Sequence, residues 1–354
     1  MPNVGKSTLF NALTDNNILA ANYPFATIEP NTGIVPIPDD RLHKLGQLYN
    51  TKKIVPATVT FVDIAGLVAG ASKGEGLGNQ FLANIRTCNA IAHVVRAFDD
   101  PNVQHVDDAP NPKKDIEIIN TELVLADLQT VEKRLPQMQK EAKANPKLKP
   151  QADLLEEVRK VLDSGTPLFA VDGRWKAEDG ILLQKELQLL TMKPIIYVFN
   201  IDEAGLTDKA KQQTLAKLVT PARAIFVCAK LEHELQSLDE ADRMELLESY
   251  GVPESGLLQL IHASYKTLGL QSYLTAGADE VRAWTIAKGA TAPQAAGVIH
   301  GDFEKGFIAA QIVDYNDLIS AGSETAARSA GKVRTEGKTY VMQPNDVVEF
   351  RFNV

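Results

Sequence analysis

Only two cysteines, Cys88 and Cys228, occur in the 354 residues, and each lies inside an apolar stretch. Two isolated thiols supply neither a disulfide framework nor metal-ligand spacing, which suits a reducing compartment. Their plain role is that of small buried hydrophobes. No run of 18 or more apolar residues is present, so no transmembrane helix is expected. The N-terminus lacks the basic-then-apolar pattern of a secretion signal. A basic excess is missing too: the formal net charge is −8, which does not suit a protein that coats nucleic acid by bulk electrostatics. What remains is 44% hydrophobic and 23% charged, the balance of a soluble globular protein. The length predicts two or three domains.

Residues 1–110 alternate Gly-rich turns with short apolar runs, as α/β domains do. Val55–Asp63 and Ala90–Phe98 read as strands, β-branched and ending at loop signals. Over 111–190 the pattern changes. Val124, Leu128, Val131, Leu135 and Met138 alternate spacings of four and three, a helical seam of coiled-coil type. After the polar, Pro-bearing stretch Lys140–Pro150, Leu154, Val158 and Val161 give a second amphipathic helix, so a helical hairpin is expected. Glu132–Lys149 holds six basic residues, Lys133, Arg134, Lys140, Lys143, Lys147 and Lys149, against two acids. The ordinary reading of such a run is a solvated helix surface, and RNA contact is the alternative. Pro194–Asn200 and Ala224–Cys228 return to buried-strand composition, so the α/β domain, residues 1–110, resumes over 191–270. From about Gln271 short strands and turns predict a separate β-rich domain, 271–354.

Gly5-Lys6-Ser7-Thr8, followed by a helical pattern, is the second half of a Walker A phosphate loop. Gly5 lets backbone amides of Asn3, Val4 and their neighbours curl around a β-phosphate, and the helix that starts near Lys6 aims its positive end at the anion. Lys6 adds a point charge on the β/γ oxygens, and the Ser7 hydroxyl is the expected Mg²⁺ ligand. In the full motif, G-x-x-x-x-G-K-[ST], the first glycine and the strand that feeds it would precede Met1. A sequence shortened at its N-terminus is therefore expected, at a cost in ladder pairing, nucleotide affinity and stability. Asp63-Ile64-Ala65-Gly66 is a D-x-x-G placed after a strand: its Asp would meet Mg²⁺ through water and the Gly66 N–H would sense the γ-phosphate. Asn200-Ile201-Asp202-Glu203 ends a strand where GTPases carry the base-reading N-K-x-D, and Cys228-Ala229-Lys230 matches the S-A-K element beside the base. Asn200 lies 137 residues beyond Asp63, whereas two helix–strand units need only about 60. The surplus is the helical hairpin.

These residues, together with ANYPFATIEPNTG (21–33), FVDIAGLVAGASKGEGLGNQFLANIR (61–86) and AWTIAKGATAPQAAGVIHGDFEKGF (283–307), closely resemble the YchF family, the Obg-like ATPases. The resemblance implies a P-loop G domain in an α/β fold with a coiled-coil insertion and a C-terminal TGS domain, a ubiquitin-like β-grasp. It also implies ATP hydrolysis in the cytoplasm and association with ribosomes, through the large subunit, by a monomer with no membrane or DNA partner. His105 corresponds to a histidine linked to hydrolysis in the family; by itself it reads as a surface loop histidine. Such a group is needed, because Leu67 stands where Ras-like enzymes orient water with a Gln. Thr27 is the candidate switch threonine that closes over Mg²⁺. Asn3 sits where some P-loop enzymes hold K⁺, the second candidate cation. His93, inside an apolar strand, reads as structural.

Base choice has its own argument. The Asp of N-K-x-D accepts from guanine N1–H and N2–H₂; here Glu203 is longer by a methylene, and Ile201 replaces the Lys that would stack on guanine. A misplaced carboxylate loses that bidentate contact, which favours ATP over GTP. Three readings stay open on the sequence: an ATPase switch, a GTPase, and a non-catalytic ribosome- or RNA-binding module that uses nucleotide as a structural ligand.

Overall fold

The computed structural model describes residues 4–15, 31–64, 77–99, 110–171, 174–176 and 178–353, apart from the side chains of Asp15 and residues 77–80. The chain begins with α1 (Lys6–Asp15), β1 (Thr32–Pro36), α2 (Asp40–Tyr49), β2 (Ile54–Val55), β3 (Thr58–Val62), α3 (Leu77–Thr87) and β4 (Ile91–Arg96). Two long helices follow, α4 (Pro112–Ala144) and α5 (Lys149–Asp163). After short helical turns come β5 (Ile195–Asn200), α6 (Lys209–Lys217), β6 (Arg223–Val227), α7 (Ala229–Gln236), α8 (Glu240–Ser249) and α9 (Gly256–Thr267). The last stretch holds β7 (Leu270–Ala276), β8 (Val281–Ala287), α10 (Ala292–Ile299), α11 (Gly301–Lys305) and β9 (Phe307–Asp314). It ends with α12 (Tyr315–Ala321), α13 (Glu324–Ser329), β10 (Arg334–Glu336) and β11 (Asp346–Phe352).

Two compact units result. The first gathers the described residues within 1–16, 27–33 and 61–267; the second gathers those within 34–60 and 268–354.

In the first unit β4, β5 and β6 form a parallel sheet with β5 in the middle. All six residues of β5 are buried, as a near-continuous apolar run covered on both faces requires. Ile195, Tyr197, Phe199 and Ile201 pack with Leu206, Leu215, Leu231 and Leu235 from the flanking helical segments. Register places Arg96 opposite Asn200 and Asn200 opposite Val227, so the three strands end together. Loops at that carboxyl edge are where open α/β sheets bind ligands. β1 and β3 pair in a two-stranded sheet, and among the described strands β3 has only β1 as a neighbour and β4 only β5.

His93 on β4 is buried, with its ring 5.3 Å from that of Tyr197 and no hydrogen-bond partner for Nδ1. Burial pulls its pKa from 6.5 down to about 3. The unfolded chain takes up a proton near pH 6.5 that the folded chain refuses until about pH 3. Stability therefore falls, through this one residue, by up to about 1.4 kcal/mol per pH unit as the medium is acidified across that window. His93→Leu is expected to flatten the decline in urea-unfolding stability between pH 6.5 and 4; a slope equal to the wild type's would show that the buried imidazole is not held neutral.

α4 starts on the side chain of Asn111, whose Oδ1 accepts from Lys114 N–H at 3.1 Å, with Pro112 in the first turn. The seam foreseen on α4 is in place: Val124, Val131, Leu135 and Met138 are buried and Leu128 partly so. On α5 the facing residues are Leu155, Val158, Val161 and Leu162; Leu154 is only partly buried, and Leu155 takes the place expected for it. The return towards β5 is tied to α4 by the fully buried Asp127. Its carboxylate accepts from Leu190 N–H (2.8 Å), Thr191 N–H (2.7 Å) and the Thr191 hydroxyl (2.7 Å). No described helix is long and apolar enough to cross a membrane.

The second unit is a six-stranded sheet in the order β10-β9-β11-β7-β8-β2. β7 and β8 form an antiparallel hairpin, β11 runs parallel to β7, and β9 and β10 add antiparallel strands beyond it. Tyr273, Ile286, Phe307, Ile312 and Val348 pack with Ala292, Ala295 and Ala296 of α10, a helix started by a Thr291/Gln294 capping box. The sequence pattern grouped residues 34–60 with the α/β stretch before them; here they complete this sheet. Ile54 and Val55 pair in parallel with Val281 and Arg282. Arg41, held by Asp39, donates to Pro344 O at 2.6 Å and Asn345 Oδ1 at 3.1 Å.

Candidate active site

The site grows from the turn before α1. Gly5 has φ +85°, in the left-handed region, and a Cβ there would meet Asn200 Nδ2 at 2.3 Å. Leu9 N–H is the first α1 amide to bond back, to Gly5 O at 3.0 Å. The amides of Lys6, Ser7 and Thr8 therefore have no carbonyl partner within the helix, and with the helix dipole they make a cradle for an anion. Ser7 and Thr8 are exposed, and Val4 is buried beneath the turn.

Across this cradle, the Lys6 ammonium contacts the carboxylate of Asp63, the residue after β3. Asp63 N–H donates to Asn31 O at 2.8 Å, which fixes the loop. A cation and an anion that would serve a triphosphate and its metal from opposite sides thus neutralise each other directly.

Asn200, at the end of β5, is 2% exposed and bonded through both its amide nitrogen and its amide oxygen. Its Nδ2 donates to Val4 O at 3.0 Å and its Oδ1 accepts from Ala229 N–H at 3.1 Å. One amide side chain straps the phosphate loop to the start of α7, just after β6. Cys228 precedes α7 with extended backbone (φ −103°, ψ 101°), and burial pushes its thiol above the usual range. Gln236 of α7 donates to Ala12 O at 3.0 Å, so α7 also grips α1. Ile201 is 2% exposed and belongs to the apolar core of the sheet, so the position held by a polar chain in N-K-x-D is an apolar floor here. Glu203 is paired with Lys230 at 2.7 Å.

Of the residues expected from the motifs, Val4, Gly5, Lys6, Asp63, Asn200 and Ala229 converge, with Ser7 and Thr8 on the first turn of α1. Asn3, Thr27, Gly66 and His105 lie outside the described residues. The Lys230–Glu203 pair was not foreseen, although Lys230 stands in the Cys228-Ala229-Lys230 element; sequence spacing places both at strand ends but does not say that they meet.

This set can bind a phosphate chain at α1, balance its charge with Lys6, and hold a base near Asn200, Ala229 and Glu203. Residues 1–133 match a family described as 50S ribosome-binding GTPase, and residues 270–353 match YchF-GTPase_C, described as a protein of unknown function. The ribosome-binding ATPase YchF of Bacillus subtilis is 51% identical over 100% of this chain and 98% of its own length. The chain belongs to the YchF family. Its Pasteurella multocida relative, also named ribosome-binding ATPase YchF, is 49% identical over the same shares of the two chains. The solved structure of the Schizosaccharomyces pombe YchF GTPase superposes with a TM-score of 0.86 at 40% identity, covering 99% of this chain and 96% of the other. The YchF fold is thus an α/β P-loop domain joined to the family's C-terminal domain.

Proposed function

We propose that this YchF chain is a ribosome-associated P-loop ATPase. It hydrolyses ATP to ADP and phosphate and serves as a nucleotide-dependent switch in translation or stress response. The observation that carries the nucleotide site is the convergence of Lys6, Asp63 and Asn200 on the turn before α1. Ribosome association, and the large subunit as its place, rest on the names of the relatives and on the description of the matching family. The cytoplasm is the compartment where that partner is met, the working form is a monomer, and neither DNA nor a membrane is a partner. The domains are a G domain (1–110 and 191–270), a coiled-coil insertion (111–190) and a TGS domain (271–354), with residues 34–60 completing the TGS sheet.

Each residue has a part. Backbone amides from Asn3 to Thr8 hold the phosphates, and Lys6 bridges the β/γ oxygens. Ser7 and Thr27 would ligate Mg²⁺, and Asp63 would meet it through water; the Ser7 hydroxyl on the first turn of α1 and the Asp63 carboxylate beside Lys6 are the hard oxygen donors that ion takes. Bound there, the ion neutralises charge on the phosphate oxygens. Asn3 would hold K⁺, the Gly66 N–H would meet the γ-phosphate, and His105 would orient the attacking water. Ile201, Cys228 and Ala229 line the base pocket with Asn200.

Glu203 sets base choice. Guanine asks for a free carboxylate facing N1–H and N2–H₂; the Glu203 carboxylate is already held by Lys230. In equilibrium competition ATP is expected to displace a labelled nucleotide at least about tenfold better than GTP, which corresponds to one lost charged hydrogen bond. Lys230→Met, which frees the carboxylate, should narrow that ratio severalfold by improving GTP. Tighter binding of GTP than ATP by the wild type would overturn the ATP assignment.

A further inference from the structure

The hairpin of α4 and α5 ends in a rigid, bare, positively charged tip. Asn145 closes α4 by donating its N–H to Glu141 O at 2.8 Å, and its Oδ1 accepts from Lys147 N–H at 3.2 Å; Leu148 N–H returns to Asn145 O at 3.0 Å. Pro146 and Pro150 restrict the backbone on either side. Within residues 139–151, Lys140, Lys143, Lys147 and Lys149 are all exposed. None of the four makes an ion pair among the described residues, unlike Arg134 below them. Glu141, the one acid in the segment, is spent: its carboxylate takes Arg134 at 2.9 and 3.1 Å and Gln137 at 2.9 Å. The first turn of α5 contains no acid. Four uncompensated ammonium groups thus stand together at the hairpin turn of a chain whose net charge is −8.

Unpaired charges held on a stiff support are poor stabilisers of the fold and good ligands for a polyanion, because each phosphate they neutralise releases a condensed counterion. The tip lacks the apolar anchors of a protein-docking hot spot or of an inserting membrane surface. No large apolar side chain of 139–151 is exposed, so there is no anchor for a hot spot or for insertion between lipids. We propose that Lys140, Lys143, Lys147 and Lys149 form an RNA-binding surface that grips the phosphate backbone of ribosomal RNA. The inference rests on the ribosome-associated reading above and adds the element and the chemistry of contact.

The test uses the full chain and a fourfold variant, Lys140→Gln, Lys143→Gln, Lys147→Gln and Lys149→Gln, in which the buried seam is untouched. Affinity for ribosomes and for a purified ribosomal RNA fragment is measured from 50 to 300 mM KCl. ATP turnover without ribosomes is expected to be equal in the two proteins, because none of the four lysines belongs to the nucleotide site. On both targets the slope of log K against log[KCl] should be shallower in the variant by about 3, from four contacts at roughly 0.7 each, with at least a tenfold loss of affinity at 100 mM. Equal slopes and affinities on both targets would overturn the tip assignment and leave ribosome binding standing. A loss on ribosomes with none on RNA would overturn it in favour of an acidic ribosomal protein. Wild-type protein that binds the RNA in a tip-dependent way but not ribosomes would support the RNA surface and overturn the ribosome reading. Binding to neither would overturn both.

Discussion

Replacing Lys6 with Met is expected to lower ATP turnover by two to three orders of magnitude, with little change in fold. The stem of Met fills much of the space of the Lys methylenes, so what is removed is the ammonium. That group meets the Asp63 carboxylate and, in the proposed complex, would turn to the β/γ oxygens where negative charge gathers as the phosphoryl group leaves. A preorganised donor aimed at developing charge in a partly dried site is worth about 10² to 10³ in rate. Loss of the Lys6–Asp63 pair itself should matter much less, because both side chains are partly open to water and such pairs contribute about 1 kcal/mol or less. Phosphate release at saturating ATP, read beside a thermal melt, separates these effects. Turnover within tenfold of wild type would remove Lys6 from the catalytic apparatus, and with it the reading of Gly5-Lys6-Ser7 as a working phosphate loop.

Much of this was legible because the chemistry is local. A glycine, a lysine and a hydroxyl at the mouth of a helix suit phosphate by backbone geometry, so Gly5-Lys6-Ser7-Thr8 reads as a phosphate loop in four letters. Asp63 and Asn200 are readable for a related reason: each stands at the end of a β-branched run, and strand ends in an open α/β sheet face one edge. The α4 seam was readable from its three-and-four spacing. What escaped the sequence was non-local or small. Ile54 and Val55 form a strand of two residues, too short for any periodicity, and their partners Val281 and Arg282 lie more than 200 positions away. Nothing in residues 34–60 says that Arg41 will meet Pro344 and Asn345. The Glu203–Lys230 pair depends on how two loops at adjacent strand ends are oriented, which spacing does not encode. The exchange of Leu154 for Leu155 on the hairpin seam is a one-residue phase error, introduced where the turn at Asn145 resets the helical count.

The contrast between Lys6, which acts on the ligand, and Asn200, which acts on the protein, gives the second large effect. Asn200→Ala removes one side chain and leaves two backbone groups without partners, Val4 O and the Ala229 N–H, at a place only 2% exposed. Each buried orphan costs about 1–3 kcal/mol, so a loss of about 2–4 kcal/mol of stability is expected in urea unfolding. Nucleotide affinity should fall at least tenfold as well, because the strap that holds the phosphate loop against the start of α7 is gone. Asn200→Asp distinguishes strap from mere filler. It has almost the same shape and keeps an acceptor for Ala229, but it puts an oxygen where Nδ2 donated to Val4 O. If volume were what mattered, Asp would rescue; if the paired hydrogen bonds matter, Asp should be at least as damaging as Ala, since a carboxylate then faces a carbonyl in a buried site. Stability of Asn200→Asp near that of the wild type would refute the strap, and would leave the closeness of Asn200 to Gly5 a packing contact with no hold on the phosphate loop.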